Sequence, residues 1–110
     1  MEKLVKLMEE LKELKENEVT LKSWLADKEV VEYSKWREEN PKDRTARDKV
    51  LDMLKMENDE WLLKIDDYQR AKLNYDNLKY IYNLVEGMVR NSNYSKDDVS
   101  MFLELLDSNL

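Results

Sequence analysis

Three acidic pairs are the residues best placed for chemistry. Glu29-x-x-Glu32, Glu57-x-x-Glu60 and Glu104-x-x-Asp107 each set two carboxylates one turn apart on a helix face. All-helical nucleotide pyrophosphohydrolases hold magnesium with pairs of this kind. That chemistry needs about three or four carboxylates converging on a hard cation. In a chain where 40% of residues are charged, such pairs also arise on solvated helix faces. There is no His and no Cys to act as base, nucleophile or soft metal ligand, and Ser and Thr have no His to activate them. The expectation is a protein that is not an enzyme and that uses no metal or cofactor.

Aromatic residues offer a second kind of chemistry. Tyr68, Lys72, Tyr75, Lys79 and Tyr82 step by four and three and so share one ridge. Alternating rings and cations can stack the bases and neutralise the phosphates of a single strand. The same spacing also suits half-buried tyrosines at the edge of a helical seam, with hydroxyls toward water and lysines lying beside them. Trp24, Trp36 and Trp61 are hard to bury fully in a thin helical protein, and Trp is favoured at binding hot spots. The region Lys35–Lys49 is locally basic, with Lys35, Arg37, Lys42, Arg44, Arg47 and Lys49 against Glu38, Glu39, Asp43 and Asp48. That balance predicts a solvated loop. From these patterns Trp24, Val31, Trp36, Tyr68, Tyr75 and Tyr82 are the expected partner-contacting residues.

The elements that must position these side chains are helices. The chain has 110 residues, a single Gly and a single Pro, and a net charge of −6. This is the composition of one small domain made of long solvated helices. Net negative charge disfavours nucleic acid. The absence of Cys fits a reducing compartment, and no apolar run approaches the ~20 residues of a membrane span. The expected location is the cytoplasm, away from membranes.

A leucine seam opens the chain at Leu4, Leu7, Leu11 and Leu14, is interrupted by Glu18, and resumes at Leu21 and Leu25. Asn17 to Thr20 is its weakest helix-forming patch and a candidate kink. A second seam pairs the row Leu54, Trp61, Tyr68, Tyr75, Tyr82 and Val89 with the row Val50, Glu57, Lys64, Ala71, Leu78 and Val85. It predicts one unbroken helix of roughly 45 residues, on the order of 70 Å long. Between the seams, Asn40 reads as an N-cap, Pro41 as the first helical residue and Asp43 as a dipole partner. Folding there sets Leu25 near Met56, Leu21 near Trp61, Leu14 near Tyr68, Leu7 near Tyr75 and Leu4 near Leu78. Gly87 and Asn91-Ser92-Asn93 predict a turn. Ser95 and Asp98 then start a short helix carrying Val99, Phe102, Leu103 and Leu106.

The expected fold is all-α: a long antiparallel, coiled-coil-like helical hairpin with a short third C-terminal helix. It forms a single domain, with helix 1 over about residues 2–38, a turn at 39–43, helix 2 over about 44–90 and helix 3 over about 96–107. Met8, Val19, Trp24, Met53, Leu62, Ile65, Leu73 and Ile81 fall off the facing stripes. Pairing two hairpins into a four-helix bundle would bury them.

Two stretches carry a family resemblance, Asn40-Pro41-Lys42-Asp43-Arg44-Thr45-Ala46-Arg47 and Asp67-Tyr68-Gln69-Arg70-Ala71-Lys72, followed by Leu78, Ile81, Val85 and Arg90. Here the chain resembles a loose group of small phage and prophage helical-hairpin proteins from replication or recombination gene clusters, mostly without an assigned function. The group usually ends Arg-rich, whereas this chain ends in Tyr94 and an acidic segment. The resemblance implies a phage-encoded protein. Together with the residues it predicts a small non-catalytic interaction module that binds a protein partner or a second copy of itself. The alternative is a nucleic-acid-linked role, by single-strand binding along the Tyr/Lys ridge or by acidic mimicry of DNA.

Overall fold

A computed structural model describes residues 2–91, 96, 97, 99–101 and 104, with side chains from Leu4 onward. The fold is all-α. Helix α1 spans Glu2–Glu39, α2 spans Arg47–Met56 and α3 spans Asp59–Arg90. Residues 96, 97, 99–101 and 104 belong to a short C-terminal helix. The expected cap at Ser95 and Asp98, and the apolar residues Phe102, Leu103 and Leu106, lie outside the described residues.

α1 pairs antiparallel with the return chain, as a long hairpin with short connections requires. The chain divides into two compact units: Met1–Glu16 with Lys72–Leu110, and Asn17–Ala71. In the first, Leu7, Leu78 and Val85 form the buried core, and Leu4, Leu11, Leu14, Ile81, Tyr82 and Val99 pack against it. In the second, Val50, Leu51, Trp61 and Ala71 are buried. Glu18, the polar step in the leucine seam, is buried there as well. From Ala71 onward the row Ala71, Leu78 and Val85 is thus the deeper of the two expected rows; before it, Glu57 of that row is exposed and Lys64 half-buried, while Trp61 of the other row is buried. Tyr68, Tyr75 and Tyr82 are half-buried at its edge, where a phenol can keep its hydroxyl near water.

Several expectations need correction. Helix 2 is not one helix over 44–90, because Glu57 and Asn58 leave the helix and separate α2 from α3. The cause is a cap. Asn58 Oδ1 accepts the Trp61 N–H at 3.0 Å, the Asn58 carbonyl accepts the Leu62 N–H at 3.1 Å, and Asp59 and Glu60 occupy the first turn of α3. Replacing Asn58 by Ala is expected to cost about 1 kcal/mol in urea unfolding, the usual loss for an N-cap.

Asn40 does not cap the following helix. Its backbone N–H and its side-chain Nδ2 both donate to the Trp36 carbonyl, each at 2.9 Å, so it closes the end of α1. The connection is longer than expected, and α2 begins at Arg47 with no side-chain cap at Ala46. Asn17 to Thr20 does not interrupt α1, the weak propensity of four residues being a small term beside the packing of a long helix. Gly87 makes no turn: it lies within α3 and has no positive φ.

The expected register also shifts. Tyr75, expected beside Leu7, is covered by Lys15, while Leu7 packs with Leu78 and Val85. The pairing has slid by roughly one to two turns. Residues spent in the 40–46 connection and at Glu57–Asn58 do not advance along a helix, so later residues of the return chain meet a given point of α1.

Candidate interaction surfaces

In the unit Asn17–Ala71, the end of α1 builds a ring-and-cation cluster. Tyr33 and Trp36 stack with centroids 6.1 Å apart and an interplanar angle of 26°. The Arg37 guanidinium lies 5.5 Å from the Tyr33 ring and 5.2 Å from the Trp36 ring. It donates to the Tyr33 hydroxyl at 2.7 Å and to the Asp43 carbonyl. Arg47, from α2, covers Tyr33 at 5.3 Å. Residues 41–49 are exposed, as a solvated loop requires, and Arg37 and Arg47 tie this connection to half-buried rings. Arg37 four residues after Tyr33 was readable in the sequence, but the contribution of Arg47 was not, because it depends on the course of the connection.

Within that connection, Asp43 accepts hydrogen bonds from the Thr45 N–H at 2.8 Å and the Thr45 hydroxyl at 2.6 Å. The Thr45 hydroxyl, then its N–H, and the Arg37 charge hold the Asp43 carboxyl below its usual range. A carboxyl depressed by folding adds stability above its unfolded-state pKa and loses it as pH falls through the folded value. The turn should therefore tighten toward neutral pH and loosen in acid. A carbon-detected NMR titration should place the Asp43 midpoint below that of an ordinary aspartate, and Thr45→Val should move it upward. An unchanged midpoint in the variant would contradict this.

Trp24 forms a separate cluster. It is half-buried, with Lys28 Nζ 5.9 Å and Lys64 Nζ 5.7 Å from its ring. Lys28 also bonds Glu32 at 3.1 Å. Lys55 joins Glu29 across the helix pair at 3.2 Å and lies 5.6 Å from the buried Trp61 ring. Glu29 and Glu32 thus each engage a lysine. Glu57 and Glu60 are exposed at the helix break, and Asp107 lies outside the described residues. Among the described residues, no three His, Cys, Asp or Glu side chains form a group that could hold a metal ion. Val31 is exposed on α1, and Tyr68 is half-buried on α3.

In the unit containing Lys72–Leu110, Tyr75 and Tyr82 line one open groove of about 350 Å³. Met8 and Leu11 of α1 complete its apolar lining, and Lys12, Lys15, Glu16 and Lys79 supply its charges. Lys15 Nζ sits 4.7 Å and Lys79 Nζ 5.9 Å from the Tyr75 ring. Lys79 follows Tyr75 by four residues and was legible in the sequence. Lys12 and Lys15 come from the other helix and were not.

The same stretch of α3 has a second apolar row on the side away from Leu78 and Val85. Leu73, Tyr80 and Leu84 are 58%, 66% and 44% exposed, and their spacing of seven and four puts them on one face. Asn77 and Gly87 complete that row, and a Cβ added at Gly87 would meet nothing within 4 Å. Heptad spacing sets Leu73 off the seam but does not single out Tyr80 or Leu84.

Among the described residues, no helix is long and apolar enough to cross a membrane. Comparison of the chain with protein-family models, with curated proteins and with solved structures finds no match.

Proposed function

We propose that this protein is a non-catalytic interaction module that works through helical surface, and that its first partner is a second copy of itself. The observation that carries the reading is the outer row of α3, Leu73, Tyr80 and Leu84, exposed opposite the buried row Leu78 and Val85. A helix with apolar rows on two sides is suited to a bundle interior. Asn77 within the row gives a polar group that can fix register, and Gly87 lets a second helix approach closely. Two copies joined along this row form a four-helix arrangement with two-fold symmetry. The resemblance to small phage hairpin proteins supports a phage origin and a task in replication, recombination or inhibition of a host system. The test is a paired substitution. Tyr80→Glu with Leu84→Glu, both at exposed positions, should leave helix content intact and abolish self-association. Self-association that persists in this variant would overturn the assignment of the surface.

A further inference from the structure

We propose that two copies join with their α3 helices antiparallel, so that Ile81 and Met88 of both face one shared centre. This rests on the reading of the outer row of α3 as the self-association surface, and adds the order in which the chains meet. The row Leu73, Tyr80 and Leu84 has two unlike flanks. Along one side run Asp76, Asn83 and Arg90, all exposed and seven residues apart. Along the other run Asn74, Ile81 and Met88 at the same spacing. Ile81 and Met88 are half-buried and lie between the outer row and the buried row of Leu78 and Val85. Ile81 packs against the cluster that those two form with Leu7. The apolar surface of α3 therefore runs on from the core, through Ile81 and Met88, to the outer row.

A two-fold axis allows two orders. With the α3 helices parallel, the axis runs along them, and each polar flank lies against the apolar flank of the other copy. Asp76 then meets Ile81 of the second copy and Asn83 meets its Met88, which sets a carboxylate against an apolar side chain without a partner. The two α1 segments of the first unit fall on opposite sides of the α3 pair, and no bundle closes. With the α3 helices antiparallel, the axis crosses them and like flanks meet. Both α1 segments then lie on one side, and the four helices close around Ile81 and Met88. Asp76 comes beside Asn83 of the second copy, whose amide can donate to the carboxylate. Setting Leu73 on Leu84 of the second copy also sets Asn77 beside its Tyr80, an amide beside a phenol.

The chain has no Cys, so one spin label at a time can be attached to the full protein through Lys72→Cys, Lys79→Cys or Arg90→Cys. All three positions are exposed and lie on the same side of α3. Double electron–electron resonance at tens of micromolar then reads the distance from each label to its twin in the second copy. In the antiparallel order the twins are nearly level at Lys79, offset along the helix axis by about 20 Å at Lys72 and by about 35 Å at Arg90. The distance should therefore rise from Lys79 to Lys72 to Arg90. Adding Tyr80→Glu with Leu84→Glu should remove the coupling at all three sites. Three near-equal distances would mean parallel helices and overturn the proposal while leaving self-association standing. Coupling that survives the double substitution would place the contact elsewhere and overturn it as well. No coupling at any site in the chain without those substitutions would remove self-association itself, and the antiparallel order with it.

Discussion

Replacing Trp61 by Ala is expected to cost about 3–5 kcal/mol, the largest single loss among the described residues. Trp61 is 1% exposed and is the largest fully buried side chain described. It sits in the first turn of α3, where its backbone N–H also donates to the Asn58 side-chain oxygen, so the ring anchors the restart of the helix. Removing it leaves a cavity in a core with few other large side chains to close it. Its Nε1 has no hydrogen-bond acceptor among the described residues. Trp61→Phe should therefore be milder than Trp61→Ala, because it fills part of the space and removes a buried donor whose desolvation is unfavourable by about 1–3 kcal/mol. Urea unfolding followed by circular dichroism measures both. A loss under about 1 kcal/mol for Trp61→Ala would show that the ring is not core.

Leu7→Ala is expected to cost about 2–5 kcal/mol, and Leu11→Ala distinctly less. Leu7 is 8% exposed and shares the buried cluster of the first unit with Leu78 and Val85. Leu11 is only half-buried beside that cluster and lines the open groove, so its removal leaves space that water already reaches. Matched urea titrations decide the order. A larger loss at Leu11 than at Leu7 would mean that the helices pair in the register expected from the sequence, not the one observed.

The helical class and the antiparallel pairing were legible because heptad spacing is long-range and redundant. Leu7, Leu78 and Val85 fall on seam rows that the spacing identifies. Periodicity does not say which of two adjacent rows goes deeper. That was decided by chemistry, since the tyrosine row keeps its hydroxyls near water and leaves the interior to Ala71, Leu78 and Val85. The break at Glu57–Asn58 was hidden because Trp61 stays in step with the seam across it. The local signal was present all the same, as Asn58 followed by two acids is a helix start. The connection was not legible because Asn40 can serve either helix, and its own turn is the nearer partner. The groove was only half visible. Tyr75, Lys79 and Tyr82 lie on one helix, but Lys12 and Lys15 reach them only through the register, which depends on the length of the connection. Of the expected contact residues, Tyr75 and Tyr82 share a site, while Trp24 and Trp36 belong to separate clusters.

On the proposed reading, a second copy covers the outer apolar row of α3. Multi-angle light scattering of the purified chain at tens of micromolar tests it most directly. The expected mass is twice the 13.3 kDa of the chain, falling to that of one chain when Tyr80 and Leu84 are both replaced by Glu. A mass of 13.3 kDa for the unaltered protein would contradict it.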